Sequence, residues 1–331
     1  MTVRSAVTRG CCLAALLLLV VPACDEPPPE LVPRKDAIPP DAIKMTPALD
    51  TWPPVLLSAD WNDPVPMPGP VNTAGGEDSP FITADGEWFF FFFTPDVSVP
   101  AELQLSDGCT GIYWTRRSGD GWTEPERVVL NDDVSLDGCQ YMRGDSMWFC
   151  SVRAIDALRE GPEWYTAVLR NGEWSNWRNA GAQLNLEYEV GELHITADGR
   201  TMYCARIADK GGEGGYDLWS LERNATGWDP PVHLGARVNG PTDDGWPFVS
   251  SDGRELWFTA NSTAHGPGPG LCRCLKDSAG SWAEPEEIVS RFAGEPTLDD
   301  DGNLYFVHHF FTGSGSIRMI EADIYVCYRK K

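Results

Sequence analysis

The residues in this chain best suited to chemistry are carboxylates that recur at one phase of a repeat. They are Glu77 with Asp78, Asp137, Glu189 with Glu192, Asp243 with Asp244, and Glu295. Each group stands just before an apolar run that reads as a β-strand. Carboxylates brought close together push one another's pKa values apart, the condition for one to act as acid while another acts as base. The same residues also suit plainer work, accepting backbone N–H bonds at turns or holding a structural calcium ion. No dinucleotide fingerprint, phosphate loop or Ser-His-Asp spacing is present, and no cofactor is expected beyond that calcium ion.

The elements that must position them follow from the repeat itself. Trp-x-x-Pro opens copies at Trp61, Trp122, Trp228 and Trp282, and Trp174 opens another with Trp177 in the proline place. The spacings are 61, 52, 54 and 54 residues, and 49 residues follow the last Trp. Asn72, Asn185 and Asn239 fall eleven residues after their Trp, where the second copy has Asp133 and the fifth Ala293. Asp85-Gly86, Asp198-Gly199, Asp252-Gly253 and Asp301-Gly302 then mark tight turns between apolar runs; the second copy keeps only Asp145. Each copy reads as four short strands, which is one blade of a propeller. The chain stops after the third strand of the last copy, whereas Trp61-Asn-Asp-Pro64 begins the array as a fourth strand with no predecessors. The expected fold is therefore all-β, a five-bladed β-propeller closed by an N-terminal strand that completes the last blade and removes two bare sheet edges. An open solenoid is the alternative.

Gly211-Gly-Glu-Gly-Gly-Tyr-Asp-Leu-Trp219, preceded by Ile195-Thr-Ala-Asp-Gly199 and Met202-Tyr203, resembles the WD-like repeat of TolB-type propellers. Pro247 to Phe258, and Pro296 to Phe306 with Asp323-Ile-Tyr325, fit the same frame. The resemblance covers about 270 residues. It implies a fold and a cell-envelope setting but no chemistry, because the repeat marks blade geometry. The sialidase Asp-box is not matched, since Asp and Gly are adjacent here. Five-bladed propellers also include arabinanase- and xylosidase-like glycoside hydrolases with three carboxylates in a central funnel. Their Glu-Gly-Pro phrase occurs at Glu160-Gly-Pro162, but off the channel-lining position, and is read as coincidence.

The N-terminus reads as an export signal over residues 1–23. Arg4 and Arg9 precede an apolar run from Cys11 to Val21 that is too short to span a bilayer. Val21-Pro-Ala-Cys24 resembles a bacterial lipobox with Cys24 as the lipidated residue; simple secretion with cleavage near Ala23 is the alternative. Residues 24–54, rich in Pro and acids, read as a stiff disordered tether, and residues 55–331 as the propeller. The protein is thus expected to be exported, facing the periplasm or cell surface, a monomer touching the membrane only through its anchor.

The net charge is −23, and −25 once the two signal arginines are lost. That argues against nucleic acid and anionic membrane surfaces as direct partners. Seven cysteines remain in the exported domain, so disulfides are expected, with an odd thiol left over. Cys272-Arg-Cys274 has no second ligand pair to make a metal site, and His308-His309 should point to opposite faces of a strand. Most of the 14 Trp are expected in packing; Trp246, before the first strand of the fourth blade, is a candidate sugar platform.

Two functions follow. The first is a non-catalytic module that binds an envelope protein or glycan at an acidic channel mouth through Asp78, Asp137, Glu192, Asp244, Trp246 and Glu295. The second is a glycoside hydrolase using Glu192, Glu295 and one of Asp78, Asp137 and Asp244.

Overall fold

The computed structural model describes residues 30–105, 107–130, 135–153, 156–207, 212–261, 265–313 and 318–331. The signal segment, Cys24, Asp133 and Gly211 lie outside them. Two short strands come first, β1 (Val55–Leu56) and β2 (Val65–Pro66). Five antiparallel meanders follow. The first is β3 (Gly76–Ile82), β4 (Trp88–Thr94) and β5 (Gly111–Ser118), with β6 (Gly121–Trp122) and β7 (Glu126–Arg127) folding back on β5. The second is β8 (Ser135–Arg143), β9 (Ser146–Arg153), β10 (Glu163–Arg170) and β11 (Glu173–Asn179). The third is β12 (Leu193–Ile195), β13 (Thr201–Ile207), β14 (Tyr216–Glu222) and β15 (Val232–His233). The fourth is β16 (Asp244–Val249), β17 (Glu255–Ala260), β18 (Gly270–Leu275) and β19 (Glu286–Ser290). The fifth is β20 (Ala293–Leu298), β21 (Leu304–Phe311) and β22 (Met319–Cys327).

The repeat residues do local structural work. Each Asp-Gly is the tight turn between first and second strands: Gly86, Gly199, Gly253 and Gly302 have φ of +71 to +79°. The repeat Trp marks the chain's return along the third strand. A basic residue from the end of that strand lies over its ring, Arg329 on Trp61 at 4.2 Å, Arg117 on Trp122 at 4.4 Å, Arg223 on Trp228 at 4.2 Å and Lys276 on Trp282 at 4.7 Å. The repeat Asn clips the third strand's backbone. Asn185 takes the N–H of Trp164 and donates to its carbonyl; Asn239 does the same to Leu218.

Trp61 and Asn72 use these same contacts on the other end of the chain. Trp61 pairs with Arg329, Asn72 accepts the N–H of Ile324 and donates to its carbonyl, and β2 pairs antiparallel with β22. The N-terminal segment therefore occupies the fourth-strand place of the fifth meander. A parallel bridge, Ala322 to Gly76, joins that meander to the first.

Residues 30–54 depart from the expected tether. Over this stretch the chain is packed as a strap across the junction of the first and fifth meanders. Arg34 is buried, with its guanidinium 5.1–5.4 Å from the rings of Phe91, Phe93 and Tyr113, and donates to the carbonyls of Pro70 and Val71 and to Glu77. Lys44 bonds Glu321 and Asp323, and Asp50 meets His308 at 2.8 Å. β1 then pairs with β19. Composition alone misjudged this segment because its few charges have buried counter-charges on distant strands.

Candidate functional site

The first strands of the five meanders stand side by side. β3 touches β8 and β20, and β16 touches β12 and β20. Tyr141 on β8 and His194 on β12 have ring centroids 5.1 Å apart. In four of these strands the antiparallel register shifts at one place: between Asp78 and Phe81, Gly138 and Tyr141, Gly245 and Phe248, and Gly294 and Thr297. These are β-bulges, which re-aim a side chain that a regular strand would point elsewhere. The bulge residues Ser79, Cys139, Trp246 and Glu295 have φ of +48 to +57°. Glu192 is their equivalent in the third meander.

Together the five line a small central cavity of about 60 Å³. Below it Phe81, Tyr141, His194 and Phe248 pack against one another and form an aromatic plug. Burial pushes His194 down to about 3, so its ring is neutral there, and its Nδ1 accepts the Val249 N–H at 3.2 Å. Above it opens a cavity of about 730 Å³ lined by Cys139, Glu192, Trp246, Glu295 and His309, with Cys150, Ile207 and Tyr216 on its wall. Arg159 and Glu189 meet at its rim at 3.6 Å.

The residue before this position is glycine in four meanders: Gly138, Gly191, Gly245 and Gly294. A Cβ at Gly191 would lie 2.8 Å from the Ala205 carbonyl oxygen, which shows how close the neighbouring backbone comes. The first meander alone carries a side chain there, Asp78, and it is hydrogen-bonded to Glu295. Asp78 also accepts the Ser79 N–H at 2.8 Å and faces His309 Nε2 at 3.6 Å. Burial works against ionisation of Asp78, but the hydrogen bond and charge of His309 more than offset it and hold the carboxyl below its usual range. Glu295 is pushed far up, first by burial and then by the Asp78 charge. Burial alone raises Glu192. Two carboxyls in contact are thus pushed in opposite directions, Glu295 up and Asp78 down.

The sequence-predicted residues divide accordingly. Asp78, Glu192, Glu295 and Trp246 come together at the funnel, and Trp246 is 37% exposed. Asp137 and Asp244 do not join them. Asp137 sits one residue before its meander's glycine and accepts bonds from Ser151 and Arg153. Asp244, at the matching place, accepts the Gly240 N–H at 2.6 Å and is pushed up to about 6 by burial, with the Asp217 and Asp243 charges adding to it. Glu77 shares that position and binds Thr73 and Arg34. A one-residue offset within a strand sends a side chain to the opposite face. The first strand therefore splits the acids into a structural row and a funnel row.

His309 was not foreseen as a site residue. Its signal was available: its neighbour His308 has the opposite orientation, buried against Asp50, as alternation along β21 requires. All seven cysteines of the described domain are free thiols, so the expected disulfides are not formed. Among the described residues no three His, Cys, Asp or Glu side chains are arranged to hold a metal ion. No helix of the described residues is long and apolar enough to cross a membrane.

No family model matches the chain, and no curated protein matches it. Solved structures similar in fold include TolB from Acinetobacter baumannii, 11% identical with a TM-score of 0.44, where the match covers 77% of this chain and 55% of that one. A putative TolB from Agrobacterium tumefaciens is 15% identical with a TM-score of 0.43, covering 78% and 92%. An endo-arabinase from Bacteroides thetaiotaomicron VPI-5482 is 12% identical with a TM-score of 0.46, covering 79% and 96%. The chain spans about half the length of the first of these.

Proposed function

We propose that this protein is a five-bladed β-propeller, exported and held at a membrane through lipidated Cys24, that binds the end of an envelope glycan in its acidic funnel. The observation that carries the reading is the row of side chains that the first strands of the meanders turn to one place. It brings Glu192, Glu295 and Trp246 to one cavity of about 730 Å³, a volume within the range of small-ligand sites, with Asp78 hydrogen-bonded to Glu295 behind its wall. Carboxyls with unspent acceptor capacity suit sugar hydroxyls, and the exposed face of Trp246 suits the apolar face of a pyranose ring. The net charge of −23 disfavours nucleic acid and anionic lipid as ligands. The protein acts as a monomer without a cofactor.

One observation favours a second reading, glycoside hydrolysis. Glu295 and Asp78 are hydrogen-bonded to each other, burial and the Asp78 charge push Glu295 up while His309 holds Asp78 down, and Glu192 and Glu295 face the same cavity. In that reading Glu295 would protonate the leaving oxygen, and Glu192 would activate water or attack the sugar. Asp78, with His309 behind it, would hold the proton on Glu295.

The test is titration of a soluble form beginning at residue 25 with a panel of bacterial and plant oligosaccharides by calorimetry, followed by assay of the same mixtures for released reducing ends. Binding lost in Trp246→Ala and Glu192→Gln, without release, supports the binding module. Release lost in Glu295→Gln supports the hydrolase. Binding only by envelope peptides, or none by any sugar, overturns the glycan reading.

A further inference from the structure

The funnel wall carries two thiols that neither reading of the site uses. Five of the seven cysteines are sealed in the core: Cys109, Cys204, Cys274 and Cys327 have no exposed surface and Cys272 is 7% exposed. Cys139 and Cys150 differ. Both are partly exposed, and both line the same cavity of about 730 Å³. They belong to adjacent antiparallel strands. Cys150 on β9 is in register with Gly138 on β8, and Cys139 is the next residue along, at the bulge. Directly paired residues lie about 4.5–5.5 Å apart at Cα, and one residue of stagger makes that about 6 Å. This lies inside the span that a disulfide bridges, about 4.4–6.8 Å. In a regular strand Cys139 and Cys150 would face opposite sides of the sheet; the left-handed φ of +50° at Cys139 turns its side chain toward the cavity that Cys150 already faces.

We propose that Cys139 and Cys150 are a reversible redox pair, closing a disulfide across the β8–β9 bulge in the wall of the funnel. The oxidant is a small or protein disulfide. One cysteine sulfur, as thiolate, attacks it, giving a mixed disulfide and releasing one thiol. The second cysteine then displaces the other half. The S–S bond of the oxidant breaks, the Cys139–Cys150 bond forms, and the two electrons and two protons leave with the oxidant as two thiols. The acids of the funnel set the rate. Burial first, and then the Glu192 charge, raises both thiols, Cys150 to about 12 and Cys139 well above the ordinary thiol value. Exchange is therefore slow at neutral pH and quickens as pH rises. A cationic disulfide, matched to the acidic funnel, is the reagent of choice.

The experiment exposes the folded, reduced protein to cystamine, then alkylates native and unfolded samples and maps the peptides by mass spectrometry. Before oxidation, native alkylation should label Cys139 and Cys150 alone. After oxidation both should become protected with one shared rate constant, a linked pair of peptides carrying residues 139 and 150 should appear, and dithiothreitol should restore both. In Cys139→Ser the remaining Cys150 should stop at the mixed disulfide. The proposal is overturned if both thiols in the wild-type protein stay alkylatable, or if each carries its own separate cystamine adduct. Those readings need no variant to fold. They also leave the ligand proposal untouched, because sugar binding is measured with both thiols reduced.

Discussion

Replacing Arg34 by Ala tests whether the N-terminal strap is part of the folded domain. The guanidinium makes two bonds to the carbonyls of Pro70 and Val71 and one to Glu77, and lies against three aromatic rings. Removing one partner of a buried ion pair costs about 3–5 kcal/mol, because the other charge is left without compensation. Here that charge has an escape. Burial already lifts Glu77 to about 7, so below that pH it takes a proton and the cost shrinks. The full loss is thus expected at pH 8, and about half of it at pH 5, where hydrogen bonds and ring contacts are lost but the unpaired charge is not. At roughly 2 °C per kcal/mol for a domain of this size, the melting temperature should fall by about 6–10 °C at pH 8 and by about 3–5 °C at pH 5. Differential scanning calorimetry at the two pH values decides the matter. A shift below about 1 °C at both would mean that residues 30–54 hang free in solution. An equal shift at both would mean that Glu77 does not carry the effect.

Three further outcomes follow from the same structure. Burial raises Glu77 to about 7, Asp323 to about 8 and Asp244 to about 6, so the folded state holds protons that the unfolded chain releases. Stability is then full below the ordinary carboxylate range and is lost as pH rises through about 6–8; melting curves that rose across that window would refute this. Asp244→Asn keeps the acceptor for the Gly240 N–H while removing the titration, so it should flatten the slope between pH 5 and 7 and leave the protein more stable than wild type at pH 8. His309→Ala removes the partner that keeps Asp78 ionised; carbon-detected NMR titration should show the Asp78 carboxyl moving up, and an unchanged Asp78 would remove His309 from the site.

Much of the architecture was readable in the residues because its determinants are local. A tight turn needs Gly at positive φ, so Asp-Gly announces each hairpin. The Trp phrase and the Asn eleven residues later report one blade's return strand wherever they occur. That is why Trp61, at the start of the array, reports a return strand that belongs to the last meander, where Asn72 clips Ile324. The acids as a class were legible for the same reason, since they recur at one phase of the repeat. What the tertiary structure alone decided was which acids share a space. Glu77, Asp137 and Asp244 differ from Asp78, Glu192 and Glu295 by one or two positions, and bulges, invisible in the apolar pattern, turn that difference into opposite faces. His309 reaches Asp78 from a strand more than two hundred residues away, Lys44 finds the buried Glu321 at similar remove, and Arg34 finds the buried Glu77 on the first meander. Spacing along a chain describes neighbours in sequence; a carboxyl's proton is governed by neighbours in space.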